Sequence, residues 1–497
     1  MRLKCFKNIH MNSSILKGDL ITYLSTASFL GEWGLYIEAI MNQVYLVEAW
    51  WVFVIIVSIF MRLYFKKCNI KGLKKLIWWI LFGLVVKLFL LLAFIFPTMY
   101  YFDKGLFVKF VESYNIIFGS NYLFVYTLEG AYVQIFMCVI VIYFFIVLLN
   151  SFNDSYDQYV NYEIIIILLI CLDSLFLIVY VNDFMSMYFL LELISLSLYI
   201  LIGLKRYSNI SVRAAINFFI FGSVASSILL LGISLIYWGL NLTNFSSLYI
   251  YLLTNAADNT QLPYLAFFGI WLILVGLLFK LGIAPFHFWV SDVYEGAPTI
   301  ITFFISIIPK IAYLFLLYRS FSFVYSPNLF ILPYGLTILN IIFLCAYLSI
   351  IIGTFGAFYQ TRIKRLLAYS AIVNMGFIIL SLNMGSVQGL IGATYTFLIY
   401  VFALVQFFCI LIFSKYYTKN YSDAQLEDIV DFRSLTHSNY VLSLLFVGLL
   451  FSLSGLPPFI GFFGKWFIIK AFILNNLFFT SVFAVLFGVF VSVYYIS

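Results

Sequence analysis

Residues 264–290 read YLAFFGIWLILVGLLFKLGIAPFHFWV, an apolar run broken by a single formal charge, Lys280. A charged side chain at the centre of a bilayer helix costs roughly 2.5–3.5 kcal/mol on insertion scales, so such residues usually line a water-filled path or pair internally. Pro285 follows within two turns. Its ring lacks a backbone donor and clashes with the preceding turn, which predicts a helix broken close to Lys280. Irregular backbone at membrane depth is tolerated only against protein or a water-filled cavity. Desolvation favours the neutral amine of a lysine and a nearby carboxylate favours the ammonium, so a lysine held between the two changes protonation as its partner moves. The competing reading is a lysine that snorkels from a helix end, and the apolar residues on both sides weigh against it.

The pattern recurs along the chain. Glu192 is the only charge in Phe184–Leu204, Lys310 the only one in Ala297–Tyr318, and Lys465 follows the uncharged run Tyr440–Gly464. Lys310 adjoins Pro309, and Lys465 comes soon after Pro457 and Pro458. Each has a plainer alternative. Glu192 can be a neutral carboxyl hydrogen-bonded to a nearby serine, and Lys465 can snorkel. His287 lies seven residues after Lys280 and has a side chain able to relay protons near neutral pH, although a lone histidine often serves only structure. Lys364 and Arg365, in QTRIKRLLAYS (360–370), are candidates that serve equally well as interface anchors. Lys87 and Asp173 are further intramembrane charges, outside this constellation, that a local pairing would explain. One carboxylate and several lysines in successive helices form a chain along the membrane midplane, an arrangement suited to charge hopping between neighbours.

Composition supports a membrane setting. The 497 residues are 65% hydrophobic and 9% charged, with mean hydropathy +1.09, far too apolar for a soluble domain of this size. Spans of about 20 apolar residues recur, and the short alternating strands of a membrane barrel do not. The six cysteines show no CxxC spacing, and there is no Gly-rich nucleotide loop and no HExxH-type cluster. The basic run Arg62–Lys75 suits orientation in the bilayer better than nucleic-acid binding. Heavy use of Phe and Tyr together with Ile and Asn is what AT-rich codons produce, a hint of organellar coding.

Hydropathy predicts an all-α polytopic membrane protein with about thirteen spans, near 45–65, 76–99, 131–150, 163–181, 183–204, 213–238, 263–288, 297–320, 329–354, 366–386, 388–414, 440–463 and 465–496. The last interval allows one tilted helix or two short ones, and 151–162, 239–262 and 415–439 read as polar connectors. Loops after the first, third, fifth, ninth and eleventh spans carry most loop cations, whereas the even-numbered loops hold only Lys104, Lys109 and Arg319. The odd loops are therefore expected on the cytoplasm-equivalent side, with the basic N-terminal tail as a dissenting vote.

Four stretches carry a family resemblance: LELISLSLYILIGLKRYSNISVRAAINFFIFGSVASSILLLGISLIY (191–237), FKLGIAPFHFWVSDVYEGAPTIITFFISIIPKIA (279–312), QTRIKRLLAYSAIVNMGF (360–377) and LSGLPPFIGFFGKWF (453–467). They resemble the subunit 2 family of NADH dehydrogenase, antiporter-like proton-translocating subunits of respiratory complex I. The run PFHFWVSDVYEGAP (285–298) is its most specific element. The resemblance implies two inverted five-helix repeats, each with a broken helix, at about 161–320 and 321–497, preceded by an extension and first three helices in 1–160. It implies Glu192 as the acid that modulates Lys280, Lys310 as the connecting lysine, and Lys465 as the lysine of the second broken helix, with His287 and Lys364 as weaker members.

By the same resemblance the chain itself holds no cofactor, while the complex carries FMN, iron–sulfur clusters and ubiquinone. Its partners would be other membrane-arm subunits, neighbouring antiporter-like subunits and the bilayer, with no nucleic acid, in the mitochondrial inner membrane. Two departures stand out. Asn217 occupies a position where bacterial relatives usually carry lysine, and the family's last helix is expected to be absent here or supplied by a separate polypeptide. The alternatives are a subunit of a multisubunit sodium/proton antiporter and a structural spacer whose charges pair statically.

Overall fold

The computed structural model of the chain describes residues 46–62, 70–102, 123–151, 162–257, 264–321, 333–414, 428–434 and 440–496. Among these residues the chain is helical almost throughout, and the β-structure consists of isolated bridges. The basic N-terminal tail and the loop cations Lys66, Lys67, Lys104, Lys109, Lys415 and Lys419 lie outside the described residues.

The helices are α1 (46–62), α2 (Ile70–Phe102), α3 (Leu128–Ser151), α4 (Tyr162–Leu177), α5 (Phe184–Ile202), α6 (Asn209–Leu240), α7 (Phe245–Ala257) and α8 (Tyr264–Leu281). They continue with α9 (Phe288–Gly296), α10 (Thr299–Ser320), α11 (Pro333–Phe358), α12 (Ile363–Leu382), α13 (Val387–Ser414), α14 (Tyr440–Ser454), α15 (Ile460–Leu474) and α16 (Phe478–Ile496). Eleven described helices are long and apolar enough to cross a membrane. A helix satisfies its backbone hydrogen bonds internally, which lipid cannot do for it, and this is why so apolar a sequence folds this way.

Two boundaries differ from the hydropathy reading. The connector 239–262 contains the short helix α7, whose start is tied to that of α5: Phe184 N–H donates to Thr243 O, Phe245 N–H donates to Asn182 O, and the Phe184 and Phe245 rings meet edge to face at 4.6 Å. The C-terminal region divides at Gly455 and at Asn475–Asn476, not near residue 464, so α14 and α15 are the halves of one interrupted helix and α16 follows separately.

Lipid is as apolar as leucine, so close packing between small residues, more than hydrophobic burial, holds membrane helices together. The α6–α8 contact shows this. A Cβ on Gly232 would lie 2.7 Å from Gly269 O, and a Cβ on Gly269 would lie 2.7 Å from Gly232 O. The two backbones touch there, which fixes the depth of the helix whose last turn carries Lys280. At the centre stands α10, nearly every residue of which is buried. It packs against α3, α4, α8 and α13, with Phe303 between Phe144 (5.5 Å) and Phe408 (5.6 Å).

Candidate functional site

Helix α5 begins at Asp183, whose Oδ2 accepts from the backbone N–H groups of Met185 (3.0 Å) and Ser186 (3.1 Å), an N-cap that satisfies two otherwise orphaned donors. Glu192 therefore falls in mid-helix, about 13 Å along the axis at 1.5 Å per residue. Ser195 Oγ lies 2.7 Å from Glu192 Oε2 and 2.9 Å from its carbonyl oxygen, so one hydroxyl proton is shared between them. The serine contact of the plainer sequence reading is thus present. Glu192 is also within electrostatic reach of Lys280, although no direct ion pair joins the two.

Lys280 occupies the last turn of α8 and is buried. The helix stops one residue later, at Leu281, because Gly282 takes φ +73°, a left-handed conformation that a glycine adopts without Cβ strain. Gly282 N–H donates to Phe279 O, Ile283 N–H to Leu278 O at 3.1 Å, and Phe286 N–H to Ile283 O at 2.8 Å, closing the turn. Trp289 Nε1 donates to Phe279 O at 3.0 Å and stitches the two half-helices together. His287 sits at the N-cap of α9, buried and stacked on Phe288 at 4.8 Å, and its Nδ1 has no hydrogen-bond partner in the protein.

The second interruption repeats this turn residue for residue. Gly455 takes φ +78°, its N–H donates to Ser452 O, Leu456 N–H donates to Phe451 O, and Phe459 N–H donates to Leu456 O. The cations nevertheless sit on opposite sides of the two breaks. Lys280 precedes its glycine, whereas Lys465 follows on α15 and reaches back so that Nζ donates to Ser454 O at 2.6 Å. That carbonyl belongs to the end of α14, where the helix dipole favours a cation.

Lys310 lies near the middle of α10, buried, with its ammonium 5.4 Å from the Tyr294 ring centroid. The Tyr294 hydroxyl is buried without a partner and interacts electrostatically with the Tyr400 hydroxyl, likewise buried without a partner. Tyr400 then lines a cavity of about 40 Å³ together with Asn374, Thr396, Ser452 and Lys465. A site of that volume with several polar walls has room for water, which needs about 10–15 Å³. Tyr294 and Tyr400 had no signal in the sequence, being two among 38 tyrosines.

The remaining candidates have structural contacts. Lys364 Nζ donates to Ala297 O, the C-cap of α9, at 3.0 Å, and Arg362 and Arg365 both pair with Glu295 of α9. These three side chains fasten the first interrupted helix to α12. Asn217 is half-buried on α6, and Arg213, one turn earlier, is exposed.

Residues 181–492, more than half of the chain, match the family described as NADH:quinone oxidoreductase/Mrp antiporter, TM. The chain is 37% identical over 317 residues to NADH-quinone oxidoreductase subunit N of Pelagibacter ubique, covering 64% of this chain and 63% of the relative. It is 33% identical over 315 residues to NADH-ubiquinone oxidoreductase chain 2 of Oenothera berteroana, covering 63% and 61%. The match thus spans a little less than two thirds of these relatives' length. In fold it resembles a chain of respiratory complex I from Thermus thermophilus with bound aureothin, at TM-score 0.65 and 23% identity over 90% of this chain and 87% of the other. It also resembles a chain of the Mrp complex from Dietzia sp. DQ12-45-1b, at TM-score 0.67 and 17% identity over 91% and 79%. The chain therefore belongs to the NADH:quinone oxidoreductase/Mrp antiporter transmembrane family.

Proposed function

We propose that this multi-pass membrane protein is a proton-translocating membrane-arm subunit of respiratory complex I, acting in the mitochondrial inner membrane beside other antiporter-like subunits. The names of its curated relatives support the complex, and the arrangement of buried charge supports the role. The observation that carries the reading is Lys280, buried at a helix break and within electrostatic reach of Glu192. NADH, flavin, iron–sulfur and quinone chemistry is assigned to other subunits.

Energy released by quinone reduction elsewhere would shift Glu192 towards or away from Lys280. With the carboxylate near, the ammonium is favoured; with it withdrawn, burial favours the amine and the proton moves on. Lys310 takes it next, and the Tyr294 and Tyr400 hydroxyls bridge from there to the cavity at Lys465. Hydroxyls serve this purpose because each both donates and accepts.

Lys280→Met, in the intact complex reconstituted in vesicles, tests the reading. Protons pumped per NADH oxidised are expected to fall below the parent value by this subunit's share, because transfer through Lys280 slows by roughly 10²-fold or more when a positioned proton-transfer group is lost. An unchanged proton-to-electron ratio would remove Lys280 from the path.

A further inference from the structure

A second group of buried charges lies in the N-terminal helices. Lys87 of α2 is fully buried, with its ammonium 2.9 Å from Glu48 Oε2 of α1. The other Glu48 oxygen accepts from Gln134 Nε2 of α3 at 2.8 Å, and Gln134 Oε1 accepts from the Tyr180 hydroxyl at 2.8 Å. The Lys87 ammonium also lies 4.0 Å from the Phe176 ring centroid and 5.6 Å from that of Trp51. Asp173 of α4 is within electrostatic range of both Lys87 and Glu48, and its Oδ1 is buried without a hydrogen-bond partner in the protein. The Cys138 thiol lies within electrostatic range of Lys87 and Glu48. Arg319 stands beyond Tyr180, its guanidinium bonded to the carbonyls of Val179 (2.7 Å) and Val125 (3.0 Å).

Charge counting shows what such a group does. Ionised Glu48 and Lys87 neutralise each other, so an ionised Asp173 would add an uncompensated buried charge, which low dielectric strongly disfavours. A proton on Asp173 while Lys87 pairs with Glu48 would keep the cluster neutral. The lysine ammonium is a point charge on a flexible four-carbon stem. Swung to Asp173, it stabilises that carboxylate: the Asp173 O–H bond breaks, an O–H bond forms on Glu48, and the cluster stays neutral.

We propose that Asp173, Lys87 and Glu48 form a second proton-exchanging site, separate from the Glu192–Lys280 chain. Arg319 ends the helix that carries Lys310 and grips the carbonyl next to Tyr180, so a displacement of α10 reaches Glu48 through Tyr180 and Gln134.

Infrared difference spectra of the intact reconstituted complex, resting against turning over on NADH, test it. A protonated-carboxyl band that changes with turnover is expected, shifted by ¹³C-aspartate labelling and lost in Asp173→Asn. In Glu48→Gln, which removes the acceptor carboxyl, the aspartate band is expected to persist but no longer change. A turnover spectrum without a labelled aspartate carboxyl band overturns the site, and so does a band that stays constant. Labelling needs no substitution, so the test stands even where Asp173→Asn fails to assemble. The label is read independently of pumping, so its failure and that of the Lys280 assignment are distinguishable.

Discussion

Tyr294 places its ring centroid 5.4 Å from the Lys310 ammonium, and its buried hydroxyl interacts electrostatically with that of Tyr400, with neither oxygen hydrogen-bonded within the protein. Two buried hydroxyls left unpaired are costly, on the order of 1–3 kcal/mol each. Tyr294→Phe keeps the ring under Lys310 and removes only the oxygen, and Tyr400→Phe does the same at the cavity wall. Both variants are expected to assemble with thermal stability unchanged or slightly raised, by up to about 1 kcal/mol. Protons pumped per NADH oxidised should fall by this subunit's share, since losing a proton-transfer group slows its step by roughly 10²-fold or more. Full pumping in both variants would route the proton elsewhere. Glu192, Lys280, Lys310 and Lys465 were conspicuous in the sequence because each interrupts an apolar run. The tyrosines were invisible because an aromatic hydroxyl in an aromatic-rich chain carries no contrast.

Gly282 and Gly455 set the geometry of the two interrupted helices, each with positive φ and the same three closing hydrogen bonds. A Cβ on Gly455 would stand 2.8 Å from Lys465 Cδ and 3.0 Å from its Nζ, so the glycine also makes room for the lysine to reach Ser454 O. Gly455→Ala is expected to cost about 1–2 kcal/mol from left-handed backbone strain and to displace the ammonium from that carbonyl. The check is thermal unfolding of the assembled complex together with its pumping rate. A variant as stable and as active as the parent would show that the turn tolerates a side chain. Proline made both breaks legible in the sequence, since its ring cannot continue a helix. The exact turning residue was less visible, because other glycines stand close by, Gly276 before the first break and Gly461 and Gly464 after the second. The split between α15 and α16 was blurred for another reason. Uniform apolarity leaves no periodic signal, and Asn475 and Asn476 (φ +58°) are the only polar punctuation there. Conversely, the polar residues of 239–262 masked α7, whose placement depends on Phe245 meeting Phe184 and not on local pattern.

Across the whole molecule the fold resembles both a complex I chain and an Mrp complex chain, so fold alone leaves the translocated ion open. The chemistry of the proposed path is more selective. Of the residues proposed for it, Lys280 and Lys310 are buried, and Lys465 and Glu192, the carboxylate at one end, are half-buried. Hard metal cations are held by cages of carboxylate, carbonyl and water oxygens. A row of ammonium groups repels a sodium ion and offers it few such oxygens, whereas each amine accepts a proton directly. The staple of Arg362 and Arg365 on Glu295, with Lys364 on Ala297 O, joins the interrupted helix that ends this row's first half to α12, which contributes Asn374 to the cavity at Lys465. These contacts tie together the two halves of the proposed path. Replacing all sodium by choline is therefore expected to leave proton pumping by the reconstituted complex unchanged, measured as protons moved per NADH oxidised. Pumping that rises and falls with the sodium gradient would instead make this chain an exchanger of the Mrp kind, with the lysines acting as a gate against sodium and not as carriers of protons.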